Sequence, residues 1–352
     1  MEKKYFTDAN SALGFRCLKR ENLSGIIHVF HLESTSITLV HRFLIKIVDA
    51  FEAQGWEVEK IFNPFNVNLL AGIVCRAKSI GIVSDGEVFN GSNVINLDVM
   101  FDGSKLVKIK KENEGLTAEF KRCYETMYNH FSQALVIHDE WEKVYIDHMD
   151  FKKANEYRFN VLTELFAGIK KRNRESLVTK RFFGASTSSG LYDFVPELTT
   201  GLKRYLIKGR PGSGKSTIMK AVMKKAAELG LDMEVYQCSL DPKSLDMVLI
   251  PELNVCIFDA TPPHEYEATF ETDKVLDTYE AFINPIVEIT HKEILDDIAK
   301  RYKHAIKSGL DPLKKADELI ELIEDKFIVA LNVDEINSEF EKILVKIFSV
   351  IN

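Results

Sequence analysis

Apolar and polar positions in the second half of the chain predict a strand, a tight turn and an amphipathic helix in direct succession. Arg204, Tyr205, Leu206, Ile207 and Lys208 form a short run with an apolar centre, the pattern of a buried strand. Beyond a glycine-rich stretch, Ile218, Val222, Ala226 and Leu229 fall on one helical stripe, and Gly230 follows as a C-terminal stop. Residues 234–238 predict a second strand. At Asp241 and Pro242 a turn or short helix is expected, with the aspartate as N-cap and the proline at the first helical position. Residues 254–259 read as a further apolar strand that ends in Asp259. From residue 286 the pattern is helical; Gly309 is expected to break it, and Leu313, Ala316, Leu319 (or Ile320) and Ile323 resume the stripe.

The same rhythm occurs earlier. Gly14 and Phe15 match Gly190 and Leu191, Gly25 matches Gly201, Gly55 matches Gly230, and residues 80–86 parallel 255–261. Lys4, Tyr5 and Phe6 are matched with Arg181, Phe182 and Phe183, and a helical tail near 116–166 answers the one after 286. The chain therefore predicts two tandem α/β units of doubly wound, mostly parallel sheet, each with a helical C-terminal tail. The units are assigned to 1–170 and 171–352, joined by a polar, basic stretch near 168–180.

Composition narrows the class. The chain has 352 residues, 45% hydrophobic and 28% charged, with a net charge of −7, so it can bury real cores and presents no global positive field for nucleic acid. Five scattered cysteines without a CxxC spacing suit reduced thiols. No apolar run approaches membrane-spanning length, and a cytoplasmic protein with no membrane partner is expected.

The chemistry concentrates in Gly209, Arg210, Pro211, Gly212, Ser213, Gly214, Lys215, Ser216 and Thr217, a complete phosphate-binding loop (P-loop, Walker A) between the predicted strand and helix. Glycines let successive N–H groups turn in around a phosphate chain, and the helix N-terminus adds partial positive charge. Lys215 is expected to reach the β- and γ-phosphates, Ser216 to hold Mg²⁺, and Thr217 to bond the α-phosphate. Asp259, at the end of the apolar strand, is expected to face that metal. His264 is a candidate to orient a nucleophile or sense the γ-phosphate, and Asp241 to bind an acceptor hydroxyl. No Asn-Lys-x-Asp guanine-reading sequence occurs, so ATP is the expected nucleotide; no glutamate follows Asp259 to polarise water. In the first half, the corresponding loop near 31–38 has neither glycine nor lysine, and Glu33 is expected to repel phosphate. Ser84 stands opposite Asp259, with Asp85 a displaced substitute.

With these residues in view, the chain resembles a group of bacterial proteins built from two tandem P-loop ATPase-like halves. The resemblance spans nearly the whole chain and rests most firmly on residues 209–217, 238–246, 250–253 and 259–264. It implies ATP binding and names no reaction. The first half often has an intact loop in that group, and this sequence departs from it at 33–39. The expectation is an ATP-binding hydrolase or phosphoryl transferase with one Mg²⁺-dependent site in the second half. Two alternatives stand beside it: a small-molecule kinase with an acceptor near Asp241 or His264, and a scaffold whose dead half binds a protein partner under control of ATP.

Overall fold

The computed structural model describes residues 3–84 and 92–350. The first half holds β1 (Lys4–Tyr5), β2 (Asp8–Ser11), β3 (Gly14–Cys17), α1 (Lys19–Asn22), β4 (His28–Glu33), α2 (Ile37–Glu52), β5 (Glu59–Phe62), β6 (Leu70–Cys75), β7 (Ile80–Ser84), β8 (Asn93–Asn96), α3 (Gly103–Glu112), α4 (Glu114–Ile146) and α5 (Phe151–Leu165). The second holds β9 (Val178–Arg181), β10 (Gly184–Thr187), β11 (Gly190–Asp193), α6 (Val195–Thr199), β12 (Lys203–Lys208), α7 (Lys215–Glu228), β13 (Met233–Gln237), β14 (Leu245–Ile250), β15 (Val255–Asp259), β16 (Lys274–Asp277), α8 (Thr278–Phe282), α9 (Ile286–Thr290), α10 (Lys292–Ala330) and α11 (Val333–Phe348).

Each half builds a six-stranded sheet, ordered β1-β5-β6-β7-β4-β8 in one and β9-β13-β14-β15-β12-β16 in the other. In each sheet the neighbours of one strand, β6 or β14, pair with it antiparallel, and all other pairings are parallel. The repeat extends to irregularities: β5 and β13 carry a bulge at Ile61/Phe62 and Tyr236/Gln237, and Ser79 and Asn254 share a left-handed conformation (φ 53° and 52°).

The two units meet about a local two-fold relation. Phe6 and Phe182 exchange both backbone hydrogen bonds (2.9 and 2.8 Å), and Ala12 N–H to Leu240 O is answered by Ser188 N–H to Phe65 O. This register aligns Tyr5 with Arg181, so the first matched segment is one residue out from the sequence comparison, whereas Gly14 and Gly190 coincide as expected. One face of each sheet contributes to a shared core that includes Phe6, Ile61, Val83, Phe182, Leu206 and Phe258.

The helical tails cross over. Ile323, Phe327 and Ala330 of α10, with Phe340 and Ile347 of α11, pack into the core that α2 makes on the first sheet. Val161 and Leu165 of α5 pack into the core that α7 makes on the second. Each tail thus completes the other half's core, at about 1.5–3 kcal/mol for each large apolar side chain buried.

Of the turn or short helix expected at Asp241 and Pro242, residues 241–244 form the turn, because Asp241 caps Lys243 N–H locally and the β-rich run from Leu245 to Ile250 extends immediately as β14. One expectation is corrected. Gly309 does not break α10. It lies inside α10 where α4 crosses antiparallel, and a Cβ there would come within 2.4 Å of the Phe131 ring; the residue permits close helix approach. Among the described residues, no helix is long and apolar enough to cross a membrane.

Candidate functional site

β12, the glycine-rich loop and α7 form the strand–turn–helix unit that the sequence predicts. Gly212 and Gly214 adopt φ of +73° and +82°, where a side chain would be strained, and a Cβ on Gly209 would lie 2.2 Å from Thr278 Oγ1. Ser213 is buried beneath the loop, its Oγ 2.7 Å from Thr278 Oγ1, and Thr278 donates to Lys208 O. The loop is therefore anchored from below by β16 and α8.

Lys215 opens α7. Its Nζ donates to Arg210 O at 2.9 Å and lies 3.7 Å from Asp259, so the ammonium bridges the loop and the end of β15. Ser216 Oγ accepts the N–H of Leu245 at 3.1 Å, which ties the start of β14 to the same point. Thr217 is exposed at the head of α7. Asp259 accepts from both the N–H and the hydroxyl of Thr261 (3.0 and 2.5 Å), which fixes its carboxylate. Lys215, Ser216 and Asp259 are thus brought together; the Ser216 and Asp259 oxygens are the hard donors that Mg²⁺ takes, and they fit that ion.

Two points of the loop reach the end of α4, one of them through Glu288 of α9. Arg210 donates to Glu288 (3.0 Å), which also accepts from Tyr145 OH of α4, and its guanidinium lies 5.4 Å from the Tyr279 ring centre. Pro211 and Gly212 form the outer bend, and a Cβ on Gly212 would sit 2.4 Å from the Glu142 carbonyl oxygen. The end of α4 therefore lies directly on the loop.

A carboxyl that sequence reading did not single out joins the cluster. The pairing of Met247 with Phe258 sets Asp246 across from Asp259. Burial, and next the Asp259 charge, push the Asp246 carboxyl up to about 7. Its signal was a lone charge in an otherwise apolar strand, hidden because the strand itself was not anticipated.

His264 is brought near the same cluster. Its Nδ1 lies 2.7 Å from Asp193 Oδ2, and its ring packs edge-on against Phe183. Burial opposes its charge, but the Asp193 carboxylate, helped by Asp246 and Asp259, outweighs this and raises its pKa. Asp241, by contrast, is engaged in its own turn, where it accepts Lys243 N–H.

The first half provides an internal comparison. His41 Nδ1 accepts Leu70 N–H at 3.1 Å, as Ser216 accepts Leu245 N–H, so His41 stands where Ser216 does and Val40 where Lys215 does. Ala71 and Ser84 stand at the places of Asp246 and Asp259, and Ser84 donates to Ala71 O. The altered loop is therefore 34–39, slightly beyond the segment assigned from sequence. The opposing charge comes from elsewhere than Glu33. Glu324 of α10 accepts from Ser36 Oγ, Ile37 N–H and Thr38 N–H at the head of α2, and Asp98 accepts from Ser34 Oγ and Thr35 N–H. Asp85 lies outside the described residues.

No protein-family model, curated protein or solved structure matches this chain.

Proposed function

We propose that the second half binds ATP with Mg²⁺ at the loop of residues 209–217 and hydrolyses it or transfers its γ-phosphoryl group. The observation that carries this reading is the placement of Lys215, whose amine rests on Arg210 O while lying 3.7 Å from Asp259. An ammonium parked on its own loop carbonyl is ready to be drawn to phosphate oxygens. The N–H groups at the head of α7 point the same way, and the helix end favours negative charge. Ser216 and Asp259 would hold Mg²⁺, which when bound neutralises charge on the transferred phosphate. The resemblance to tandem P-loop ATPase-like proteins agrees with this assignment.

The first half does not share this role in the proposal. Its helix N-terminus already bears a protein carboxylate, and its loop lacks the lysine and the glycines. The test is Mg·ATP affinity by calorimetry for the wild type and Lys215→Ala. Binding of one ATP per chain by the wild type, weakened at least about tenfold in the variant, supports the reading; equal binding by both sinks it.

The exchanged tails favour a second reading, in which nucleotide occupancy controls a protein partner. Because Glu142 and Tyr145 of the first-half tail lie at the loop, nucleotide binding there has a direct route to the other half. A partner captured by the wild type with Mg·ATP, and not by Lys215→Ala, would support it; fast hydrolysis by the isolated chain would count against it.

A further inference from the structure

We propose that His264, positioned by Asp193, supplies the positive charge opposite Lys215 that stabilises the phosphoryl group in transfer. The inference rests on the nucleotide reading of the loop and assigns within this chain the role that an arginine finger fills elsewhere.

The placement follows from a short turn. Asp259 Oδ1 accepts Thr261 N–H, and Thr261 O accepts His264 N–H (3.0 Å each), so the chain folds back at once beyond β15. That return keeps His264 within one turn of Asp259, the residue whose carboxylate lies 3.7 Å from Lys215 Nζ.

The ring is held rather than merely present. Asp193 Oδ2 takes Nδ1 at 2.7 Å, while Asp193 Oδ1 accepts from Tyr266 OH (2.5 Å) and Val195 N–H (3.1 Å). With both oxygens engaged, Asp193 cannot turn away. Phe183 meets the ring edge-on, centres 4.8 Å apart, and Gly184 leaves room for it, since a Cβ there would lie 2.9 Å from His264 Cε1. Among the described residues no protein group bonds Nε2, so this is the nitrogen available to a ligand. A rotamer locked by packing and a hydrogen bond to its far side is how a preorganised electrostatic group is built.

In the step itself, the attacking oxygen forms its bond to the γ-phosphorus as the bond to the β–γ bridging oxygen breaks and ADP leaves. The nucleophile's proton passes to solvent or to the departing phosphate. His264 keeps its own proton and contributes charge alone. Asp193 is a positioning residue that keeps the imidazolium charged and aimed.

The test compares MgADP affinity with and without aluminium fluoride, which mimics the planar phosphoryl group. The wild type should bind MgADP at least about tenfold more tightly with aluminium fluoride present. His264→Gln should keep MgADP affinity within about threefold and lose most of the enhancement, since one missing donor costs about 10²-fold in transition-state stabilisation. Asp193→Asn, which retains its acceptor oxygen, should lose part of it, and it decides the matter if His264→Gln does not fold. An undiminished enhancement in either variant overturns the proposal. Wild-type binding of MgADP with no enhancement overturns it and leaves the nucleotide reading standing, whereas failure of the wild type to bind MgADP removes both.

Discussion

Ser36 donates its hydroxyl hydrogen to Glu324 at 2.5 Å, and the same carboxylate accepts the N–H groups of Ile37 and Thr38. This contact joins the head of α2, in the first half, to a helix that begins in the second. Glu324 is buried, and these donors satisfy its oxygens. It stands at the head of α2, the helix that matches α7 behind the glycine-rich loop of the other half.

Glu324→Ala should therefore strand the Ser36 hydroxyl and two N–H groups and cost about 1–3 kcal/mol of stability, readable as a lowered urea midpoint. ATP stoichiometry should remain one per chain, because vacating the helix end restores neither lysine nor glycine. Two ATP molecules per variant chain would refute the assignment of a single competent loop.

Arg181 is fully buried between Glu59 of the first half and Glu234 of the second, at 3.0 Å from each, with its guanidinium 4.0 Å from the Tyr5 ring centre. Arg181→Met should cost about 3–5 kcal/mol, since it removes the one buried cation shared by two buried carboxylates and leaves Glu59 to Arg76 and Glu234 to Lys3 alone. Burial alone would raise the Glu59 carboxyl, but Arg181 and then Arg76 override it and hold it down at about 2, against an ordinary 4.5. The folded state thus binds the proton less readily than the unfolded chain. The stability gained from Glu59 is present above pH 4.5 and is lost as pH falls toward 2. Acid unfolding followed by circular dichroism should show this slope in the wild type and a shallower one in Arg181→Met.

Asp246 should behave in the opposite sense. Its folded-state carboxyl is raised by burial and by Asp259 to about 7, above the ordinary 3.8. Between these values the folded protein holds a proton that the unfolded chain has released, so stability falls as pH rises through that window. Asp246→Asn removes the burden and should stabilise the ligand-free protein by about 1–2 kcal/mol at pH 8 and by little at pH 4. Melting temperatures of both proteins at the two pH values check this; an equal shift at both would refute it.

Much of the second half was legible because its signals are local. The strand from Lys203, the loop glycines and the stripe of Ile218, Val222 and Ala226 declare themselves within a few turns of chain, and Asp259 follows from the same rhythm. The α/β class and the repeat were readable for the same reason, through Gly14 with Gly190 and Gly55 with Gly230. What escaped depends on distant chain. Glu324 gives no sign in sequence that it serves Ser36, because a stripe on α10 records that a face is buried and not which sheet buries it. Gly309 reads as a breaker until Phe131 is placed against it. Asp193, from a hairpin before the loop, meets His264 only through tertiary folding.

The meeting of Gly212 with α4 gives the last prediction. At φ +73° an alanine is strained, and its Cβ would fall 2.4, 2.8 and 2.9 Å from the carbonyl oxygen, Cα and carbonyl carbon of Glu142. These are backbone atoms of a long helix, so no side-chain rotation relieves the clash. Gly212→Ala must move α4 and the loop apart, at about 1–3 kcal/mol for the overpacking and up to a similar amount for the backbone. Two readouts separate the consequences. Hydrogen exchange over residues 139–147 should accelerate if the helix end yields, and Mg·ATP affinity should fall if the loop yields instead. Unchanged exchange together with unchanged affinity and stability would refute the contact. A variant in which both move would tie nucleotide binding to the position of the first-half tail, the coupling that a nucleotide-controlled partner requires.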